Sequence, residues 1–371
     1  MSTIFVSIAS YRDHLCPITL ISMYEMAANP DRVFVGLCQQ NNQKEDEECV
    51  FPKAHPLYKT VQKNVRKVSI PHTQAKGPTY ARFICASLYK NETYFLQVDS
   101  HSLFADQWDT HLLHMLEAAQ KVAGHEKIIL STYPPIMEDY TSEVIASAHT
   151  PILETTQTNS HGIPVFQGSV YRPPAATPTR NYFISANLLF APASLLREVP
   201  YDPHLPFLFE GEEILYSVRA YTHGWDVYAP NRNIIYHHYT RKSDPKFWDD
   251  LTLEMQDALI KTRFLLGHDS TNTPNNPANV NKTANLQDIH SKEVRNSISA
   301  FGLGTRRPLL HFYRESGITP PSGLSSMPPT YPSVSKGISW QGILIIVLVV
   351  LFLIALFLVL LKGKRKPVPR R

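Results

Sequence analysis

No GxGxxG follows any apolar run in this chain, so the usual dinucleotide-binding fingerprint is missing. Cysteine is scarce. Cys16, Cys38, Cys49 and Cys85 show no CxxC spacing, which argues against a zinc ribbon and predicts mostly reduced, buried thiols, a secretory disulfide framework being the weaker reading. The start, MSTIFVSIASYRD, has neither a basic segment nor a long apolar run, so no signal peptide is expected there. Basic charge is also missing where a nucleic-acid binder needs it. The net charge of +4 is misleading, because Lys362, Lys364, Arg365, Lys366, Arg370 and Arg371 all lie in the last ten positions. The other 361 residues carry a net charge of −2, and no basic face on the fold is expected. With 43% hydrophobic and 18% charged residues, the chain is not compositionally disordered.

One long apolar run is present. Residues 343–361 are 19 consecutive Ile, Leu, Val, Phe and Ala residues. As a helix they would span about 28 Å, the thickness of a bilayer core. Before them, 319–336 is dense in Pro and Ser and reads as an extended stalk. The expected organisation is therefore a catalytic domain at 1–318, a stalk at 319–336, one transmembrane helix at 343–361 and a basic tail at 362–371. With no leader and an anchor so close to the C-terminus, insertion is expected to follow synthesis and leave the large domain in the cytosol. The positive-inside rule would place the tail there instead. Exporting more than 300 residues without a signal is the harder step, so the tail-anchored, cytosolic arrangement is the expectation.

Within 1–318 the pattern alternates strand and helix. Strand signals fall at 3–9, 33–38, 65–70 and 93–98, with helices at 17–28 and 78–90 between them. That rhythm predicts an α/β fold with a mostly parallel sheet. A helix is expected at 106–122, strands at 127–132, 182–190, 226–229 and 233–238, and a helix at 211–222 closed by Gly224. Residues 136–182 should form loops with short strands, and the Asn-rich 270–285 a surface loop.

Three spots carry chemistry. QVDSHSLF at 97–104 puts Asp99 just past an apolar strand, where open α/β sheets hold ligands. Asp99 and His101 can face one point as a divalent-metal pair, although on spacing alone a plain polar turn is the simpler reading. IIYHHYTR at 234–241 offers His237 and His238, which alternate to opposite sides of a strand and by themselves read most simply as structural histidines, and Arg241, whose planar fork suits a diphosphate. In FEGEEILYSVRAYTHGWD at 209–226, Glu210, Glu212 and Glu213 crowd a helix start. The macrodipole accounts for them there, and so does an acceptor-binding role.

Seven blocks occur in one order: FVSIASYRD, NPDRVFVGLCQQ, GPTYARFICASLY, YFLQVDSHSLF, FEGEEILYSVRAYTHGWDVYAP, YHHYTR and GLGTRRPLLHFYRESGI. Together they resemble the polypeptide N-acetylglucosaminyltransferases that modify hydroxyproline on a ubiquitin-ligase adaptor, which are similar in turn to the mucin-type polypeptide N-acetylgalactosaminyltransferases. The resemblance implies a GT-A-type, Rossmann-like fold that transfers a sugar with retention, most simply N-acetylglucosamine from UDP-GlcNAc, to a protein or glycan hydroxyl. It implies a divalent cation, usually Mn2+, on Asp99, His101 and His237. Ser10, Tyr11, Arg12, Arg82, Asp99 and Ser100 would line the donor pocket. Arg241 would stabilise the leaving diphosphate, and Glu212 and Glu213 would orient donor or acceptor. The same fold acting on UDP-galactose or UDP-N-acetylgalactosamine, and a non-catalytic carbohydrate-binding tether, are the alternatives.

Overall fold

The computed structural model describes residues 2–140, 149–154, 156–166, 168–268, 286–321 and 324. Residues 270–285, the stalk (319–321 and 324 apart), the 343–361 run and the basic tail lie outside the described residues. Among the described residues no helix is long and apolar enough to cross a membrane. Met1–Ser326 forms one compact unit.

Strands β1 (Ile4–Tyr11), β2 (Val33–Asn41), β3 (Val65–Pro71) and β4 (Tyr94–Asp99) pair in parallel, with β1 between β2 and β4. Helices α1 (Cys16–Glu25), α2 (Tyr58–Asn64) and α3 (Pro78–Ser87) make the crossovers. A two-stranded ribbon begins with β5 (Ser102–Phe104), followed by α4 (Trp108–Ala123) and β6 (Ile128–Ser131). Short strands β7 (Thr150–Leu153), β8 (Thr156–Thr158), β9 (Pro164–Phe166), β10 (Ser169–Arg172) and β11 (Thr179–Asn181) follow, as expected of the Pro- and Thr-rich stretch.

The next elements are β12 (Leu188–Pro192), α5 (Leu195–Glu198), α6 (Glu212–Thr222), β13 (Asp226–Ala229) and β14 (Ile235–His237). Beyond them lie α7 (Phe247–Asp250), α8 (Gln256–Leu265), α9 (Lys292–Asn296), α10 (Ile298–Phe301) and α11 (Leu309–Ser316). The eight-stranded sheet runs β11-β13-β6-β12-β4-β1-β2-β3. It is mixed rather than mostly parallel, because β12 runs antiparallel between β4 and β6 and β11 antiparallel beside β13.

Strand alternation builds a core on each face. Ile4, Val6, Ile8, Leu96 and Val98 pack with Leu20, Met23, Trp108 and Leu112 of α1 and α4. Phe5, Phe95, Leu189 and Ala191 face the other way, onto Tyr216 and Ala220 of α6 and onto Trp225.

Two expectations are corrected. The strand read at 182–190 starts only at Leu188. Residues before it are held by side chains instead of a ladder: the Ser185 N–H donates to Ser131 Oγ at 2.8 Å and the Ala186 N–H to Glu213 Oε1 at 2.7 Å. The cysteines are not all reduced. Cys16 and Cys49 form a disulfide with their Cα atoms 5.3 Å apart, while Cys38 and Cys85 are free and buried. The bond ties the start of α1 to the loop after β2, a proximity that a separation of 33 residues does not reveal.

Candidate metal and nucleotide-sugar centre

The site forms where the parallel strands end. β4 delivers Asp99 at its last position, and the chain turns through Ser100 and His101 into β5. β14 pairs antiparallel with β5 and sets His237 opposite Ser102. That ribbon brings Asp99, His101 and His237 together, with one ligand atom from each within 4.8 Å of the others. His237 is 5% exposed. His238 points elsewhere, its Nδ1 lying 3.1 Å from Glu138 Oε1.

The protons in this cluster cannot all be satisfied. Asn187 Nδ2 donates to Asp99 Oδ2 at 2.6 Å and lies 2.9 Å from His237 Nε2, which is itself 3.1 Å from Asp99 Oδ2. If Nε2 carries a hydrogen it opposes the Asn187 N–H, and if it does not, two lone pairs face each other. A cation shared by those lone pairs removes the conflict, and one carboxylate with two imidazoles is a donor set that suits a divalent transition metal. Burial pushes His237 below its ordinary pKa despite the pull of Asp99, in the direction of the neutral ring that a ligand must be. Burial would raise the Asp99 carboxyl, but His237, His101 and Arg82 outweigh it and hold it well below the usual range.

Around this centre lies a cleft of roughly 1020 Å³. Arg82, on α3, lies 3.9 Å from Asp99 Oδ1 and pairs with Glu212 at 2.8 Å. Glu213 accepts from Tyr133 Oη at 2.5 Å as well as from the Ala186 N–H. Burial, with Glu212 alongside, pushes the Glu213 carboxyl up to about 8. Gly211 sits at the N-cap of α6 with φ +108°, and a Cβ there would lie 2.7 Å from Ile163 Cγ2. Glycine therefore permits the turn that aims both carboxylates into the cleft. Glu210 is exposed beside Asn159. Arg241 donates through Nε to Asp244 at 3.0 Å, while its buried Nη2 has no hydrogen-bond partner.

Not every expected residue reaches the cleft. Tyr11 and Ser100 line it. Ser10, between the cleft-facing Ala9 and Tyr11, is turned away by strand alternation. Arg12 adopts φ +46° and is held by Asp46, Glu45 and Asp250, at 2.9, 3.1 and 3.0 Å, outside the lining. Its position braces the loop beneath Tyr11, whose hydroxyl donates to Asp250 at 2.8 Å.

Two residues escaped the sequence reading. Asn187 is a polar residue inside an apolar run, which is the signal that could have found it. Asp13 is 3% exposed and touches both Ser100 and His101. Burial would raise its carboxyl, yet His101, Arg241 and Ser100 hold it well below the usual range.

The family model described as Glycosyltransferase (GlcNAc) matches residues 3–61 and 49–322. This chain belongs to the glycosyltransferase (GlcNAc) family. No curated protein sequence matches it significantly. Among solved structures it is similar to GalNAc-T7 crystallised with UDP, GalNAc and Mn2+, at 13% identity and a TM-score of 0.54. That match covers 85% of this chain and 56% of the other, so the chain spans little more than half the length of that structure. The likeness shows the fold, an α/β architecture with a mixed sheet resembling the GT-A glycosyltransferases. TarS of S. aureus, residues 1–349 with UDP-GlcNAc, is a weaker likeness, at 12% identity over 71% of this chain and 67% of that one with a TM-score of 0.43.

Proposed function

We infer that this glycosyltransferase moves a sugar from a nucleoside diphosphate, N-acetylglucosamine from UDP being the reading that the family favours, to a hydroxyl group of a protein or glycan. The observation that carries it is the meeting of Asp99, His101 and His237 beside a buried guanidinium nitrogen of Arg241 that has no hydrogen-bond partner. Asp99, His101 and His237 would hold a divalent cation, Mn2+ by the chemistry of the set. When bound, the cation would offset the negative charge that grows on the departing diphosphate.

The chain's own residues do the rest. Arg241 supplies a fixed N–H toward the diphosphate oxygens, and Arg82 keeps positive charge behind Asp99. Glu212 is committed to Arg82, so its part is to hold that guanidinium in place. Glu213 lines the cleft with its two oxygens engaged by Tyr133 and the Ala186 N–H, a fixed position from which it would orient a sugar hydroxyl or amide. No carboxylate free to act as base stands out among these residues. A donor phosphate oxygen taking the acceptor proton fits that arrangement and transfer with retention. We also propose that the chain sits at a membrane through 343–361; this rests on the apolar sequence run alone.

The test is manganese-dependent cleavage of a panel of UDP-sugars by the full chain. UDP-GlcNAc should be split fastest, and chelation should stop the reaction. Preference for UDP-GalNAc would keep the enzyme and change the donor. Binding of UDP and manganese without cleavage or transfer to any acceptor would make the protein a tether.

A further inference from the structure

Asp13 lies two residues past β1, and its two oxygens do different things. Oδ1 accepts from the Leu15 N–H at 3.0 Å, closing the turn that leads into α1. Oδ2 accepts from Ser100 Oγ at 2.6 Å and lies 2.6 Å from His101 Nδ1. Arg241 Nη2 is 3.7 Å from that same oxygen. A carboxylate has no hydrogen to give, so the short contact to His101 requires the hydrogen to sit on Nδ1. In the neutral ring the other nitrogen, Nε2, then carries the lone pair, 3.9 Å from Asp99 Oδ2.

We propose that Asp13 is the positioning residue of this centre: one buried oxygen fixes the tautomer and tilt of His101 so that Nε2 is available to a cation, and holds Arg241 beside it. The inference rests on the cation reading above. An outer carboxylate that orients a ligating imidazole and raises its basicity is a general device of metal sites. Here it has a further consequence. The ligand and the guanidinium that would meet the diphosphate share one anchor, so a change at Asp13 disturbs both.

A purely structural role, closing the turn before α1, is separable from this one. Asp13→Asn keeps the volume and one carbonyl oxygen. If that oxygen serves Leu15, the amide NH2 faces His101, Nδ1 must accept, and the hydrogen moves to Nε2 where it blocks a cation. The full chain is titrated with manganese alone and with manganese plus UDP, and the His101 tautomer is read by 15N NMR of histidine-labelled, metal-free protein, assigned by its loss in His101→Gln. Expected are an Nδ1–H tautomer in the wild type, an Nε2–H tautomer in Asp13→Asn and a manganese affinity weakened about 10–100-fold, with little change in the metal-free melting temperature. A lowered melting temperature with unchanged manganese affinity and tautomer would assign Asp13 to the turn alone and overturn the proposal. A wild-type Nε2–H tautomer overturns it too, even if the variant does not fold. A wild type with the Nδ1–H tautomer that binds no manganese, with or without UDP, overturns the cation reading instead, and with it the purpose assigned to Asp13.

Discussion

Among the described residues, two of the buried charged clusters are finished to different degrees. On α8, Lys261 is wholly buried; its Nζ reaches Asp202 Oδ2 and Ser297 Oγ, each at 2.5 Å. Asp202 Oδ1 takes the His204 N–H, and Ser297 Oγ donates to the Val294 carbonyl. That cluster is closed. In the cluster at the end of β4, His237 Nδ1 and Arg241 Nη2 have no hydrogen-bond partner, and the contacts of Asn187, Asp99 and His237 conflict. Buried polar groups are expensive to leave unmet, so a fold that satisfies one cluster and not the other marks the second as made for something that binds.

The comparison breaks most visibly if the closed cluster is opened. Lys261→Met leaves Asp202 buried without its partner and should cost about 3–5 kcal/mol of stability, read by urea unfolding. Manganese affinity of the folded fraction should not change; if it falls, the clusters are not independent. Asp99→Asn should do the reverse, lowering UDP-sugar cleavage about 100- to 1000-fold while the unfolding midpoint holds. Equal cleavage by both proteins would remove Asp99 from the centre. His237→Ala should abolish manganese-dependent cleavage and His238→Ala leave most of it, since the His238 ring turns to the exposed Glu138 rather than to Asp99 and His101. Swapped phenotypes would mean that β14 is out of register by one residue.

The smallest effect is a slope. Glu213 has its folded-state carboxyl raised from an ordinary value of 4.5 to about 8. The folded protein then binds that proton more tightly than the unfolded chain does, so its contribution to stability is complete below pH 4.5 and is lost as pH rises toward 8. Glu213→Gln should flatten the fall in unfolding free energy between pH 5 and pH 8, and an unchanged slope would place the titration elsewhere.

The βαβ rhythm, the strand ending at Asp99 and the helix starting at Glu212 were legible because each is a local pattern of apolar period and breaker. The helix of 211–222 ends as read, with Gly224 at φ +90° just past it. Asp13 and Asn187 were not legible, because nothing near either residue in sequence says what it touches: Asp13 meets His101 across 88 positions and Asn187 meets Asp99 across the same separation. The antiparallel β12 escaped for a related reason. Direction in a sheet is set by the path of the chain, whereas an apolar run looks the same either way. Ser10 and Arg12 were assigned to the donor pocket as part of a block, but strand alternation and a left-handed backbone separate them from Tyr11.

The ribbon of β5 and β14 has a consequence for how the chain reaches its working state. Asp99 and His237 are 138 residues apart, so their meeting is among the slower closures available to this polypeptide. The parallel strands β1 to β4 can assemble from the first hundred residues, but the centre they frame does not exist until β14 has docked. During refolding, recovery of manganese binding should therefore lag behind recovery of the sheet, and a chain stopped short of Ile235 should make neither the ribbon nor the centre.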